Sequence, residues 1–112
     1  MELIHNPRCS KSRQAKQLLE EKGIAFEVRE YLTDELSEEE LTSILIKLGK
    51  SPQEILRKGE AIFKEEFKGK DLSDQEWIKA MVENPKLIER PILINGEKAV
   101  VGRPPEDVLR IV

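Results

Sequence analysis

The sequence has a single cysteine, Cys9, and a single histidine, His5, among 112 residues. One cysteine excludes an internal disulfide and gives no sign of an oxidising compartment. The pair also falls short of the ligand set of a dedicated zinc site, so no metal and no bound cofactor are expected. Positive charge is not in excess. The 19 basic and 22 acidic side chains leave a net charge of -3, which argues against nucleic acid as a partner. No apolar run approaches the ~20 residues needed to cross a bilayer, so no membrane partner is expected either. Repeats, low-complexity stretches, Gly-rich phosphate loops and nucleophilic-serine motifs are all missing. The opening Met1-Glu2-Leu3-Ile4-His5 lacks the basic head and apolar stretch of a signal peptide, so a cytoplasmic location is expected. The length suits one domain over residues 1–112.

Short apolar runs alternate with helical patterns, the mark of an α/β domain. A strand is expected over Glu2 to His5, broken by Asn6-Pro7. A helix should follow from about Ser10 to Lys22, with Ala15, Leu18 and Leu19 on one face and Gly23 beyond its end. Ala25 to Tyr31 reads as a half-buried strand with Phe26 and Val28 inward. Ser37-Glu38-Glu39-Glu40 and Ser73-Asp74-Gln75-Glu76 are both capping boxes. The first opens a helix burying Leu41, Ile44, Leu45 and Leu48; the second precedes Trp77, Ile78, Met81 and Val82. A short helical stretch is expected from Pro52 to Arg57. Asn95-Gly96 predicts a two-residue type I′ hairpin turn between Pro91–Ile94 and Glu97–Val101. A final helix should carry Val108, Leu109 and Val112. A right-handed crossover would make the first two strands parallel, with the hairpin adding antiparallel ones.

Most of the chemistry lies in His5-Asn6-Pro7-Arg8-Cys9-Ser10-Lys11-Ser12-Arg13. Cys9 falls where a strand ends and a helix begins, a position whose unpaired amides and dipole favour an anion. Between His5 and Leu19 there is no acidic residue, whereas Arg8, Lys11, Arg13 and Lys16 are all cationic. Such a local positive field favours the thiolate and attracts anions. The Ser12 hydroxyl is placed to donate to the same sulfur. A free cysteine is more often a small core residue, but Arg8, Ser10 and Lys11 are poor company for a core position. His5 has two readings: its charge supports the thiolate, or it is a strand-end histidine bonded to backbone. With one thiol, any adduct on Cys9 must be resolved by an external thiol.

Arg57, Arg90 and Arg103 each occur where the chain changes direction. Arginine suits planar, bidentate recognition of oxyanions, although three ordinary surface arginines would read the same way. A cis Arg90-Pro91 bond would turn that strand toward Cys9.

These residues resemble the glutaredoxin-coupled arsenate reductase (ArsC) family of the thioredoxin-like superfamily. The resemblance covers nearly the whole chain. It rests on His5-Asn6-Pro7-x-Cys9-x-x-Ser12-Arg13, followed in order by Leu56-Arg57-Lys58, Arg90-Pro91-Ile92 and Gly102-Arg103-Pro104. It implies a thioredoxin-like four-stranded mixed sheet flanked by helices, a helical insertion between the second and third strands, and Pro91 in cis beside the cysteine. Cys9 would be the nucleophile, with His5, Asn6, Arg8, Ser12 and Arg13 around the thiolate. Arg57, Arg90 and Arg103 would bind the oxyanion. The implied activity is reduction of arsenate to arsenite, with glutathione as co-substrate and glutaredoxin as reductant partner. Three alternatives are an ArsC-fold reductase of another small substrate, an Spx-like regulator of RNA polymerase, and a monothiol iron-sulfur carrier. Spx proteins typically use C-x-x-C, where Ser12 replaces the second cysteine. The carriers use C-G-F-S, from which Cys9-Ser10-Lys11-Ser12 departs at both middle positions.

Overall fold

The computed structural model describes residues 1–112, and the chain divides into two compact units. The first, Met1–Asp34 with Arg90–Val112, contains β1 (Glu2–His5), α1 (Ser10–Glu21), β2 (Glu27–Glu30), β3 (Ile92–Asn95) and β4 (Lys98–Val101). They form one mixed sheet in the order β2-β1-β3-β4. β1 pairs parallel with β2 and antiparallel with β3, and β3 with β4 makes the hairpin. This is the thioredoxin-like arrangement that the resemblance implies.

The central strand explains the fold of this unit. Successive side chains of a strand face opposite sides of a sheet, and both Leu3 and Ile4 are fully buried, so β1 is covered on both faces. Leu3 and its register partner Leu93 share a core with Ala15, Leu19 and Val108. The inner face of α1 and the C-terminal turn are thereby packed on one side of the sheet. α1 closes in a Schellman motif: Gly23 donates to the Glu20 carbonyl and Ile24 to that of Leu19. Gly23 takes the positive φ of 69° this requires, and Ile24 joins the core below.

Three local expectations need correction in this unit. β2 does not bury Val28, which is 40% exposed. It is an edge strand, and its more protected residue is Arg29, whose Nε meets the Asp34 carbonyl at 3.0 Å and its carboxylate at 3.1 Å. In the hairpin Asn95 pairs with Lys98, so the turn residues are Gly96-Glu97. Only Gly96 has positive φ, the pattern of a turn with glycine first (type II′), and asparagine is spared the left-handed region. The last helix is a 3-10 segment, Pro105–Ile111. Pro104 and Pro105 carry no N–H, and the Asp107 amide closes on the Pro104 carbonyl at 3.0 Å, three residues back, which sets the tighter winding.

The second unit, Glu35–Glu89, is the helical insertion between β2 and β3. It holds α2 (Glu38–Leu48), α3 (Asp74–Glu83), 3-10 turns at Pro52–Ile55 and Pro85–Leu87, and a π-helical turn at Phe63–Phe67. Both expected capping boxes are formed, Ser37 with Glu40 and Ser73 with Glu76. α2 buries Leu41, Ile44 and Leu45, and α3 buries Trp77, Ile78, Ala80 and Met81; Leu48 and Val82 remain only half-buried. The stretch beginning at Pro52 stops short of Arg57. Leu56 is extended and forms an antiparallel bridge with Ile88, which draws Arg57 out of helical geometry.

Candidate active site

The loop that carries the cysteine is built by Asn6 and Pro7. Proline fixes φ for the second position of a turn, and asparagine favours the first. Here the Cys9 amide donates to the Asn6 carbonyl at 3.0 Å, while the Arg8 amide donates to Asn6 Oδ1 at 3.0 Å. Asn6 is therefore buried and consumed in shaping the loop. The turn delivers Cys9 as the N-cap of α1, half-buried, with no acidic residue in the first helical turn.

Ser12 sits below it, fully buried. Its Oγ lies 2.7 Å from His5 Nδ1 and accepts the Asn6 amide at 3.0 Å. The hydroxyl is thus committed to the loop, not to the sulfur as expected. What faces the sulfur is the Ser12 backbone N–H, which favours the thiolate although it falls short of a full capping bond. His5 is neither bonded to backbone nor a source of charge. Burial, with Lys16 adding to it, holds its pKa below the ordinary histidine value, and the ring is neutral near pH 7. It ties the end of β1 to α1 through Ser12.

The cations at the sulfur come from the other end of the unit. Arg103 Nη2 is 3.4 Å from Cys9 Sγ, and its Nε donates to the Arg90 carbonyl at 2.8 Å. The Arg90 guanidinium also favours the thiolate. Burial pushes the Cys9 thiol up, but the Ser12 amide, Arg90 and Arg103 outweigh it, and the pKa lies below its ordinary value. The sequence around Arg103 makes this approach feasible. Gly102 donates to the Pro91 carbonyl at 2.8 Å, and a Cβ on it would meet Pro91 at 2.8 Å and Val108 at 2.9 Å. Pro91 itself is buried and follows a cis peptide bond, as does Pro104.

Cys9, Ser12, Arg90 and Arg103 thus converge, joined through Ser12 by His5 and Asn6. Arg8 and Arg13 are exposed; Arg13 Nη1 donates to the Pro7 carbonyl at 3.0 Å and braces the loop from outside. Arg57 belongs to the second unit. Its Nη1 meets Glu89 at 2.7 Å and its Nε meets Glu60 at 3.3 Å. Glu60 and Glu89 are not among the residues expected at the site, and Gly102 enters there only as part of the Gly102-Arg103-Pro104 motif. The i,i+3 spacing of Arg57 and Glu60 was a visible signal for one of them. The Glu89 contact depends on the Leu56–Ile88 bridge, which local pattern does not reveal.

A single half-buried thiol, biased toward thiolate and set against two guanidiniums, can attack an electrophilic centre that carries negative oxygen. The chain is similar to several known proteins. An arsenate reductase of Haemophilus influenzae is 47% identical over 97% of this chain and 96% of its own length. The solved arsenate reductase of Vibrio cholerae superposes with a TM-score of 0.93 at 45% identity, covering 100% of this chain and 98% of that one. The global transcriptional regulator Spx of Enterococcus faecalis is more distant, at 31% identity over 96% of this chain and 83% of that protein. The ArsC family model matches residues 4–111, and the chain belongs to the ArsC family.

Proposed function

We propose that this protein reduces arsenate to arsenite through Cys9, drawing its electrons from glutathione and glutaredoxin. The observation that carries the reading is the Arg103 guanidinium 3.4 Å from the only sulfhydryl in the chain. A tetrahedral oxyanion and a thiolate repel each other. Guanidiniums beside the sulfur neutralise that repulsion and hold the reacting atoms in reach. Arg90 and Arg103 fill this part, and the family resemblance adds Arg57 to the oxyanion-binding set.

The steps balance as follows. The Cys9 thiolate attacks arsenic, an S–As bond forms, and one oxygen departs with a proton as water. The glutathione thiol displaces a second oxygen in the same way. A glutaredoxin thiolate then attacks the glutathione sulfur, and the electron pair of the broken S–As bond stays on arsenic. As(V) becomes As(III), and the two outside thiols leave as a mixed disulfide. Water releases arsenite and restores the Cys9 thiol. A lone cysteine requires both electrons to come from outside the chain, which is why two external thiols enter the scheme.

The test is a coupled assay containing glutathione, glutaredoxin, glutathione reductase and NADPH, with arsenate compared against other oxyanions. Arsenate-dependent NADPH oxidation that Cys9→Ser abolishes in a folded protein supports the reading. Turnover retained in Cys9→Ser overturns the assignment of the nucleophile. Equal or greater turnover of another oxyanion would reassign the substrate while keeping the fold and the thiol. An inactive protein that binds RNA polymerase directly would point to the Spx-like reading instead.

A further inference from the structure

The first unit contains a notch that the chemistry above does not use. It has a volume of about 250 Å³ and is lined by Gln14, Gln17, Leu18 and Glu21 of α1 and by Pro105 and Glu106. The α1 residues recur at i, i+3, i+4 and i+7, so they form one stripe beside the buried face of Ser12, Ala15 and Leu19. Pro105 is buried and Leu18 half-buried, which gives the notch an apolar floor. Its rim is acidic. Gln17 Nε2 donates to Glu21 Oε1 at 3.1 Å, and neither Glu21 nor Glu106 is in an ion pair. Both walls lead to the thiol. Gln14 follows Cys9 by little more than one helical turn, roughly 7 Å of rise. Pro105 follows, with one residue between, the Arg103 whose Nη2 is 3.4 Å from Sγ. Charge changes sign over that distance, from Arg8, Lys11 and Arg13 near the sulfur to Glu21 and Glu106 at the notch.

We propose that the notch receives a lysine or arginine side chain of the protein whose thiol restores Cys9. The inference rests on the reading above that glutaredoxin supplies this thiol. A basic side chain has an aliphatic stem and a charged head: the stem lies on Leu18 and Pro105, and the head meets Glu21 and Glu106. An apolar side chain there would leave both carboxylates desolvated without a partner, and an acidic one would be repelled. Glutathione, which carries more carboxylate than ammonium, is directed by the same charges to the cationic segment instead. Two contacts of opposite sign orient an approaching protein, and they favour encounters that present its thiol to the Cys9 adduct.

In the test, Cys9 is first converted to its mixed disulfide with glutathione. A glutaredoxin thiolate attacks the glutathione sulfur, the bond to Cys9 breaks, and its electron pair leaves on the Cys9 thiolate. Loss of the glutathione mass, followed by mass spectrometry of the intact protein, gives the rate constant for glutaredoxin and, separately, for dithiothreitol. Glu106→Gln and Glu21→Gln/Glu106→Gln keep the shape of the rim and remove its charge. At low salt they should slow glutaredoxin about twofold to fivefold per carboxylate, the range an exposed ion pair supplies. The dithiothreitol rate should not change, which also shows that the thiol site is intact. At about 0.5 M salt the difference should vanish; a loss that persists there has no ionic origin and overturns the basic occupant. The proposal is likewise overturned, with the glutaredoxin reading intact, if the variants slow both reductants alike, or slow neither while glutaredoxin still outpaces dithiothreitol at equal thiol concentration. If glutaredoxin has no such advantage on the unsubstituted protein, that reading falls and this inference with it.

Discussion

At Cys9, four influences meet on one atom. Desolvation opposes ionisation; an amide and two guanidiniums favour it and win. The rate of alkylation by iodoacetamide against pH should therefore titrate below the ordinary thiol value of about 8.5. Arg103→Ala removes a cation 3.4 Å away and should move the midpoint up; an unchanged midpoint would show that this arginine does not tune the sulfur. His5 gives a prediction of opposite kind. Its folded pKa is lowered below the ordinary 6.5, so the unfolded chain takes up the proton first. Stability is then full above about 6.5 and falls as pH drops from there through the lower folded value. Urea midpoints between pH 7.5 and about 5 should show this loss, and His5→Gln should flatten it. The sequence showed that a cation-rich segment surrounds Cys9. It did not show that His5 would be neutral, because that follows from how deeply the end of β1 is buried, a property of the assembled sheet.

Among the elements, the chain was most legible where local chemistry is self-sufficient. A capping box needs two side chains three residues apart, and both predicted ones form. Asn95-Gly96 predicts the hairpin, yet its turn lies one residue further on, at Gly96-Glu97. Register is fixed by pairing β3 against β1 as well as β4, and Ile92 and Leu93 must both stay buried. The C-terminal segment carried a helical pattern but winds as 3-10 behind two prolines. Gly102 links these elements. Its lack of a side chain lets the end of β4 close on Pro91 and Val108, and Arg103 follows directly. Gly102→Ala should cost about 1–3 kcal/mol through overpacking and displace Arg103 from the sulfur. Thermal melts together with Cys9 alkylation rates check both halves; a variant of unchanged stability and reactivity would show that the contact yields without consequence.

Across the whole molecule, charge is unevenly distributed. The net charge is negative, yet one segment without a single carboxylate surrounds the reactive sulfur. A local field of that kind favours anionic reagents, and salt screens it over about 10 Å at 0.1 M ionic strength. Iodoacetate should therefore gain on iodoacetamide at Cys9 relative to a small free thiol, and the advantage should shrink as salt rises. A salt-independent ratio would place the effect in bonded contacts alone. The α/β order of the chain was legible, since strand and helix patterns alternate plainly. The helical insertion between β2 and β3 was implied by the family resemblance, but its compactness as a separate unit was not legible, because no Pro/Gly-rich linker marks the crossings at residues 34–35 and 89–90.

The Arg103 fork has one further consequence. One nitrogen is tied to the carbonyl of Arg90 and another to the sulfur, so the two chain ends flanking the hairpin move as one piece. Lysine at 103 would supply the same charge with no second prong. The reactive group would then keep its counter-ion but lose the brace that aims it.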